Sequence, residues 1–199
     1  MTKPAWHDDL RAFSAWCRQV LAEAAAGREL APRLMQVATI GLDGAPRLRT
    51  VMLRSVEADG WHITFHTDAT SSKAAELTAD PRLEAHLWRQ DLQVMLRLRG
   101  RASLVRPPDP RALAAWDALP GHSRHVYRLT EPQGATIARG GGYGRHEAKP
   151  GGHDPGLDHY AVVSVALDEI EGVSLDSAGH RRAIWQAPGR ERPDRWLVP

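Results

Sequence analysis

The sequence predicts a mainly β fold, a β-barrel with α-helices at its periphery. Short segments of alternating apolar and polar residues recur along the chain, and two tight turns, Asp43-Gly44 and Asp59-Gly60, separate the first three of them. Helical patterns are few and peripheral, which argues against a parallel α/β sheet. We therefore expect five or more short antiparallel strands.

Length and composition predict one soluble domain, residues 1–199. Hydrophobic residues make up 42% and charged residues 25% of the chain, as in ordinary globular proteins, and no apolar run approaches the length of a membrane span. With no secretory signal and a single cysteine, Cys17, we expect a cytoplasmic protein. A net charge of +2 with interspersed basic residues gives little support for nucleic-acid binding.

Apolar residues at three- and four-residue spacing predict an N-terminal helix over residues 5–26, ended by Gly27. The predicted barrel core spans residues 33–105. Its strands are expected at about 34–40, 46–56, 61–67, 83–88 and 92–105, with a helix capped by Thr70 or Ser71 that ends before Asp80.

The second half of the chain is predicted to hold a helix, a long loop and further strands. Asp109 and Pro110 supply an N-cap and a first-turn proline for a helix that continues to about Leu119. Residues 130–158 are too rich in glycine and proline for a regular element, so we expect a flexible loop. Residues 159–199 then complete the domain with strands at about 159–167, 172–176, 180–186 and 196–199.

Residues 49–73 contain side chains that suit a phosphate site. The strand pair on either side of the turn at residues 58–60 would bring Arg49 close to Thr67, and Ser72 and Lys73 lie in the first turn of the next helix. Guanidinium, ammonium, hydroxyl and helix N-terminal N–H groups are the donors that hold a phosphate monoester. The same residues could also be surface cations and a plain helix cap, and composition alone favours that reading.

The sequence lacks the motifs that are typical of several other enzyme chemistries. It has no Gly-x-Ser-x-Gly, Cys-x-x-Cys, His-Glu-x-x-His or phosphate-loop pattern. The separations of His146, His153 and His159 match no compact set of metal ligands, and we expect no metal.

Residues 33–105 resemble the flavin-binding half of the pyridoxamine 5'-phosphate oxidase family, the FMN-binding split barrels. The matching segments, in preserved order and spacing, are Ala38-Thr39 with Asp43-Gly44, then 49–54, 65–73, 74–82 and 93–100. The C-terminal segments 175–183 and 196–199 are similar to a variant subgroup of that family, not to the vitamin-B6 enzyme itself. The resemblance implies a split β-barrel that forms a homodimer with one FMN per subunit at the interface.

The resemblance also implies roles for particular residues. Arg49 and Lys73 would hold the FMN phosphate, Gln93 would reach the isoalloxazine ring, and Gln133 and Arg182 would reach the cofactor from the second subunit. The implied cofactor contacts are Arg49, Thr50, Val51, Met52, Leu53, His66, Thr67, Ser72, Lys73, Gln93, Gln133 and Arg182. Arg54 stands where the oxidase has a lysine that approaches the substrate phosphate, which implies a substrate-binding role.

Two departures from the family pattern concern the substrate. Trp116, Pro120 and Arg124 stand near the positions where the oxidase has the tyrosine, arginine and serine that hold the vitamin-B6 phosphate. The Arg-x-His signature near the C-terminus is altered to His180-Arg181-Arg182. The resemblance therefore implies an FMN-dependent oxidoreductase acting on an unknown small molecule. The flavin would accept electrons from it and be reoxidised by oxygen or another acceptor.

Other functions remain open at this point. The barrel could bind or degrade haem, which haem-dependent absorbance in a flavin-free preparation would reveal. It could instead store flavin or sense redox state without catalysis, in which case neither nicotinamide cofactor would reduce the bound FMN. A nucleic-acid-binding module is the remote alternative, and we expect no salt-dependent shift of DNA or RNA mobility.

Overall fold

A computed structural model describes residues 4–27, 33–149 and 151–199. The helices are α1 (Leu10–Ala26), α2 (Ser72–Ala79), α3 (Pro110–Asp117), α4 (Gly121–Arg124) and α5 (Gly156–His159), with a 3-10 turn at His125–Tyr127. The strands are β1 (Leu34–Ile40), β2 (Pro46–Val56), β3 (His62–Asp68), β4 (Arg82–Arg89), β5 (Val94–Val105), β6 (Tyr160–Ser174), β7 (Arg181–Gln186) and β8 (Arg195–Leu197). None of these described helices is long and apolar enough to cross a membrane.

The strands form one antiparallel sheet that closes on itself. Their order is β3-β2-β1-β4-β5-β6-β7-β8, and β3 also pairs with β6, so strands β1 to β6 make a closed barrel from which β7 and β8 extend. In the closing pair, His62 lies opposite Ala166 and Asp68 lies opposite Tyr160. The prediction of a mainly β barrel with peripheral helices is confirmed.

The barrel interior follows the alternation seen in the sequence. On β5, Val94, Leu96 and Leu98 are fully buried, because successive side chains of a strand point to opposite faces. Helix α1 packs Phe13 and Cys17 into the same core cluster, and Gly172 on β6 leaves the space that the Cys17 sulfur occupies.

A second, smaller apolar cluster covers the outer face of β6. It consists of Val105, Ala112, Trp116, Leu119, Tyr127, Tyr160 and Val162. Tyr160 is at its centre, with its ring centroid 5.2 Å from those of both Trp116 and Tyr127. This aromatic cluster fixes the base of the segment that leads from α3 into the long loop.

Register irregularities occur in two strand pairs. Between β2 and β3, Leu53 pairs with Phe65 and Ser55 with Thr64, so Arg54 is the additional residue of a β-bulge. Bulges bend a strand and redirect a side chain, and they are common beside active sites. Between β5 and β6 the register shifts at Gly100, where a Cβ atom would lie 2.3 Å from the carbonyl oxygen of Ala166.

Two sequence-based expectations need correction. Helix α1 begins at Leu10 and not at residue 5, because Asp9 caps it by accepting the N–H groups of Arg11 and Ala12. The two strands expected at 159–167 and 172–176 are one 15-residue strand, β6. The strand is continuous because β5 pairs with it along one side, while on the other side β3 pairs with its first half and β7 with its second half. The segment predicted as a flexible loop, 130–158, has few regular elements among its described residues, and an ion pair at 2.6 Å joins its Asp154 to Arg128, just before the segment.

Candidate functional site

Three polar side chains meet where β3 leads into α2. Lys73 Nζ donates to Thr67 Oγ1 at 2.9 Å and to Ser71 Oγ at 3.4 Å, and the two hydroxyl oxygens lie 3.1 Å apart. Thr67 and Ser71 are buried, whereas Lys73 is half-buried. We refer to Thr67, Ser71 and Lys73 as the Lys73 cluster.

Helix α2 begins at this cluster without a side-chain cap. Its N-cap residue, Ser71, donates its hydroxyl to the Asp68 carbonyl at 2.7 Å. The Asp68 carboxylate accepts from the N–H and the hydroxyl of Thr70, at 2.7 and 2.6 Å, and so holds the turn before the helix. Because the first N–H groups of a helix have no intrahelical acceptor, this end of α2, at the exposed Ser72, offers donors and a partial positive charge to an anion.

Arg49 brings a second cation to the same place. On β2, its Nη1 donates to the Val37 carbonyl at 3.3 Å and to the Thr39 hydroxyl, and its Nη2 donates to Glu76 Oε2 at 2.5 Å. The Thr39 hydroxyl in turn donates to Glu76 Oε2 at 2.6 Å, and both of these residues are buried. Arg49 is thus held by β1 and α2.

The protonation of Lys73 reflects its surroundings. Burial lowers the pKa of Lys73, and the nearby Arg49 guanidinium lowers it further, whereas Asp68 and Glu76 raise it. Lys73 forms no ion pair with any residue in the described part of the chain, and its hydrogen-bond partners are hydroxyls. A half-buried ammonium with no ion-pair partner among the described residues, beside a guanidinium and a helix N-terminus, fits the phosphate of a cofactor such as FMN.

A second polar group lies on the outer face of the barrel, around the bulge. Arg54 Nε, His66 Nδ1 and the Tyr160 hydroxyl are buried atoms with no hydrogen-bond partner within the described ranges. The His66 and Tyr160 rings meet edge to face with centroids 5.1 Å apart, and Tyr160 is fully buried. Buried polar atoms are almost always paired, so this set indicates a place for a ligand or ordered water. We refer to Arg54, His66 and Tyr160 as the Arg54 group.

The Arg54 group combines one cation with neutral donors. Burial, together with the nearby Arg54 and Arg33, lowers the pKa of His66 to about 3, so its imidazole is neutral at physiological pH. Burial raises the pKa of the Tyr160 phenol well above its usual range, so that it keeps its proton. Burial lowers the pKa of Arg54, while Tyr127 raises it. Such donors suit an anionic group on a small molecule.

The remaining predicted residues fall into two sets. On β2, Val51 and Leu53 point into the barrel core, so that only their backbone could meet a ligand, whereas Thr50 and Met52 lie on the outer face. In the described part of the chain, no hydrogen bond or ion pair joins Gln93, Gln133 or Arg182 to the Lys73 cluster or to Arg49. Gln93 donates to the Gln90 carbonyl at 2.8 Å, Arg182 pairs with Glu171 at 2.8 Å, and Gln133 lines a hollow of the long loop.

Four residues of these arrangements were missing from the sequence-based site: Thr39, Ser71, Glu76 and Tyr160. Ser71 was placed in the first turn of the predicted helix, as a possible cap, and was not assigned as a cofactor contact. Glu76 gives one signal in the sequence, since it stands between Ala74 and Leu77 on the buried face of a short helix. Thr39 lies in a segment that matches the family but was given no role there, and Tyr160 gives no signal. Only strand pairing brings the two residues to the site.

His146, His153 and His159, all among the described residues, do not come together as a set of metal ligands. His153 lies 3.0 Å from Asp158, and the backbone carbonyl of His159 accepts from the Ala69 N–H at 2.6 Å. Across the described chain, the grouping that could supply three metal ligands is Glu57, Asp59 and His62 in the exposed β2–β3 hairpin.

Comparison with known proteins supports the interpretation that the cofactor is FMN. A sequence model of the pyridoxamine 5'-phosphate oxidase FMN-binding domain matches residues 14–106. The chain is 32% identical over 108 residues to the pyridoxine/pyridoxamine 5'-phosphate oxidase of Cupriavidus metallidurans, covering 54% of this chain and 48% of that protein. It is 35% identical over 100 residues to the oxidase of Chromobacterium violaceum, covering 50% and 44%. The chain thus spans about half the length of the curated relatives that it matches.

Solved structures share the whole fold. A pyridoxamine 5'-phosphate oxidase-related, FMN binding protein from Nostoc punctiforme superposes with a TM-score of 0.71 at 19% identity, covering 100% of both chains. PhzG from Burkholderia lata, in complex with tetrahydrophenazine-1-carboxylic acid, superposes with a TM-score of 0.75 at 18% identity, covering 100% of this chain and 98% of that chain. At these low sequence identities the structural similarity is evidence of a shared fold, and it confirms the predicted split barrel.

Proposed function

Because this chain belongs to the pyridoxamine 5'-phosphate oxidase-like FMN-binding family, we propose that it binds FMN and oxidises or reduces a small molecule with it. The observation that carries the proposal is the Lys73 cluster. Its ammonium is half-buried and bonded only to hydroxyls, and it lies near Arg49 at the N-terminus of α2. A site of this kind is stabilised by an anion.

In the proposed complex, Lys73, the free edge of Arg49 and the first N–H groups of α2 hold the FMN phosphate. The outward-facing Thr50 and Met52 of β2 would line the ring, and Thr67 orients the Lys73 ammonium. FMN would supply two-electron redox chemistry, while the chain supplies binding, orientation and electrostatics. No described side chain has to act as a general acid or base for that chemistry.

The Arg54 group is the proposed contact for the substrate. Its guanidinium and neutral donors would receive an anionic group, and its buried unpaired atoms support this assignment. At the positions where the family oxidase holds the vitamin-B6 phosphate, the side chains of this chain do not form a phosphate site. Trp116 is buried in the aromatic cluster, and Arg124 lies 5.0 Å above its ring and donates to its carbonyl at 3.0 Å. We therefore propose a substrate other than a vitamin-B6 phosphate.

We also propose that the protein works as a homodimer with FMN at the interface. Large apolar side chains are exposed on the β1–β2 hairpin, with Leu42 and Leu48 each 72% exposed and Ile40 36% exposed. Apolar patches of this kind mark interaction surfaces. Gln133 and Arg182, which the family resemblance assigns to the cofactor, make no hydrogen bond or ion pair with the Lys73 cluster among the described residues of their own chain, as is expected of residues donated to a partner.

Cofactor identification tests the proposal directly. The purified protein is denatured and the released small molecules are analysed by mass spectrometry, while its mass in solution is measured by light scattering. We expect about one FMN per chain and a dimer. A colourless protein with no calorimetric affinity for added FMN would refute the cofactor assignment. Bound FMN that no nicotinamide cofactor reduces would instead favour flavin storage or sensing over catalysis.

A further inference from the structure

Glu76 is a buried carboxylate with a precise set of partners. Its side chain is 5% exposed, and its Oε2 atom accepts from Arg49 Nη2 at 2.5 Å and from the Thr39 hydroxyl at 2.6 Å. Thr39, itself 2% exposed, also accepts from Arg49 Nη1. The three side chains come from α2, β2 and β1 and form a closed ring of hydrogen bonds.

This ring occupies one edge of the guanidinium and leaves another edge free. The Nη1 atom donates to Thr39, to the Val37 carbonyl and to the Arg47 carbonyl, and Nη2 makes one bond, to Glu76. The Nε–H and the second N–H of Nη2 have no acceptor among residues 4–27, 33–149 and 151–199. These two groups form the parallel pair with which arginine binds phosphate in a bidentate manner.

A buried ion pair at this position is expected to add little to the stability of the folded protein. Removing two charges from water costs as much as their attraction returns, so well-packed apolar residues are often as good or better. A buried ion pair of this kind is more useful for fixing one orientation of a side chain. Glu76 is also part of the electrostatic surroundings of Lys73, whose pKa it raises.

We propose that Glu76, with Thr39, is a positioning residue for the cofactor phosphate. Glu76 and Thr39 hold the Nη1/Nη2 edge of Arg49, so that the Nε/Nη2 edge is presented to the phosphate before it arrives. This inference rests on the proposed FMN site and adds to it the residues that orient the phosphate-binding arginine. It predicts that loss of Glu76 affects the phosphate end of the ligand and leaves the ring end unchanged.

The test compares FMN and riboflavin, which differ by the phosphate, on three variants of the full chain. Glu76→Ala is expected to raise the Kd for FMN about tenfold, the equivalent of one charge-assisted hydrogen bond, with the Kd for riboflavin unchanged. Glu76→Gln keeps an acceptor oxygen for Arg49 and Thr39 and should restore FMN affinity to within about threefold of wild type. Glu169→Ala is the matched control, because Glu169 is also largely buried and paired with an arginine, Arg99, at 2.9 Å.

The outcomes separate this inference from the proposed function. Wild-type protein with no affinity for FMN overturns both. Wild-type protein that binds FMN, with Glu76→Ala binding it equally well or more tightly, overturns the positioning role, and tighter binding would identify Glu76 as a competitor of the phosphate. Equal losses for FMN and riboflavin would also overturn it, because they indicate a general structural role. If Glu76→Ala does not fold, Thr39→Val gives the same comparison and is expected to weaken FMN selectively.

Discussion

Replacing Lys73 by methionine removes the ammonium and keeps most of the length of the side chain. In the structure this ammonium donates to Thr67 at 2.9 Å and has no carboxylate partner in the described residues. If it holds the FMN phosphate, FMN should lose affinity, whereas riboflavin, which lacks the phosphate, should not. The folded protein should lose no stability, because burial already disfavours the charged form, as its lowered pKa indicates.

The size of the effect follows from the position of Lys73. Two unit charges about 4 Å apart attract by roughly 4 kcal/mol at the effective dielectric constant of a protein surface. Lys73 is half-buried, so solvent screens part of this attraction, and hydrogen bonds to charged groups contribute about 1.5–3 kcal/mol in proteins. A loss of about 2 kcal/mol corresponds to a roughly 30-fold rise in the Kd for FMN.

Isothermal titration of both flavins into wild type, Lys73→Met and Lys149→Met measures the effect. Lys149 is exposed in the long loop and controls for the loss of a lysine as such. Equal losses for FMN and riboflavin in Lys73→Met would refute the assignment of Lys73 to the phosphate. A large fall in Tm would show instead that Lys73 is needed for folding, which contradicts the reasoning from its burial.

Three further predictions concern the Arg54 group and the barrel. Unfolded His66 takes up a proton near pH 6.5 and folded His66 near pH 3, so its contribution to stability is complete above pH 6.5 and is lost as pH falls toward 3. The free energy of unfolding of the wild type should therefore fall as the pH is lowered from 6.5 to 3, and His66→Gln should make this fall smaller by up to roughly 1 kcal/mol per pH unit. Urea titrations in which both proteins lose stability equally with falling pH would contradict this. Arg54→Gln should raise the pKa of His66, measured by NMR titration, yet leave it below 6.5 because burial is the larger cause; an unchanged value would mean that the two groups do not interact. Gly100→Ala should cost about 1–3 kcal/mol or more of stability, because its Cβ would meet the Ala166 carbonyl, whereas Gly140→Ala, with open space around it, should cost little.

Local patterns in the sequence predicted most of the fold. The turn at Asp43-Gly44 and the alternation of β5 depend on neighbouring residues alone, and both elements lie where they were expected. The start of α1 was predicted too early, and Trp6, four residues before Leu10, stands at a helical spacing without being part of the helix. It precedes the helix in a turn and stacks on Trp16, with ring centroids 4.5 Å apart.

The candidate site was predictable only in part. Thr67 and Lys73 are six residues apart and their contact follows from a strand, a turn and a helix in sequence. The pairing of Arg49 with Glu76 spans 27 residues and depends on how α2 packs against β1 and β5, which no local pattern specifies. The bulge at Arg54 is a mismatch between two strands, and neither strand alone reveals it.

The double pairing of β6 has a consequence for the order of synthesis. Strands β1 to β5 leave two open edges, on β3 and on β5, and the same later strand fills both. Until residues 160–174 have left the ribosome, both edges can pair with other chains, and closure then joins segments far apart in sequence, which is slow. The nascent chain is therefore expected to depend on chaperones during this interval, and a stop codon placed just before β6 should yield aggregates instead of a small flavoprotein.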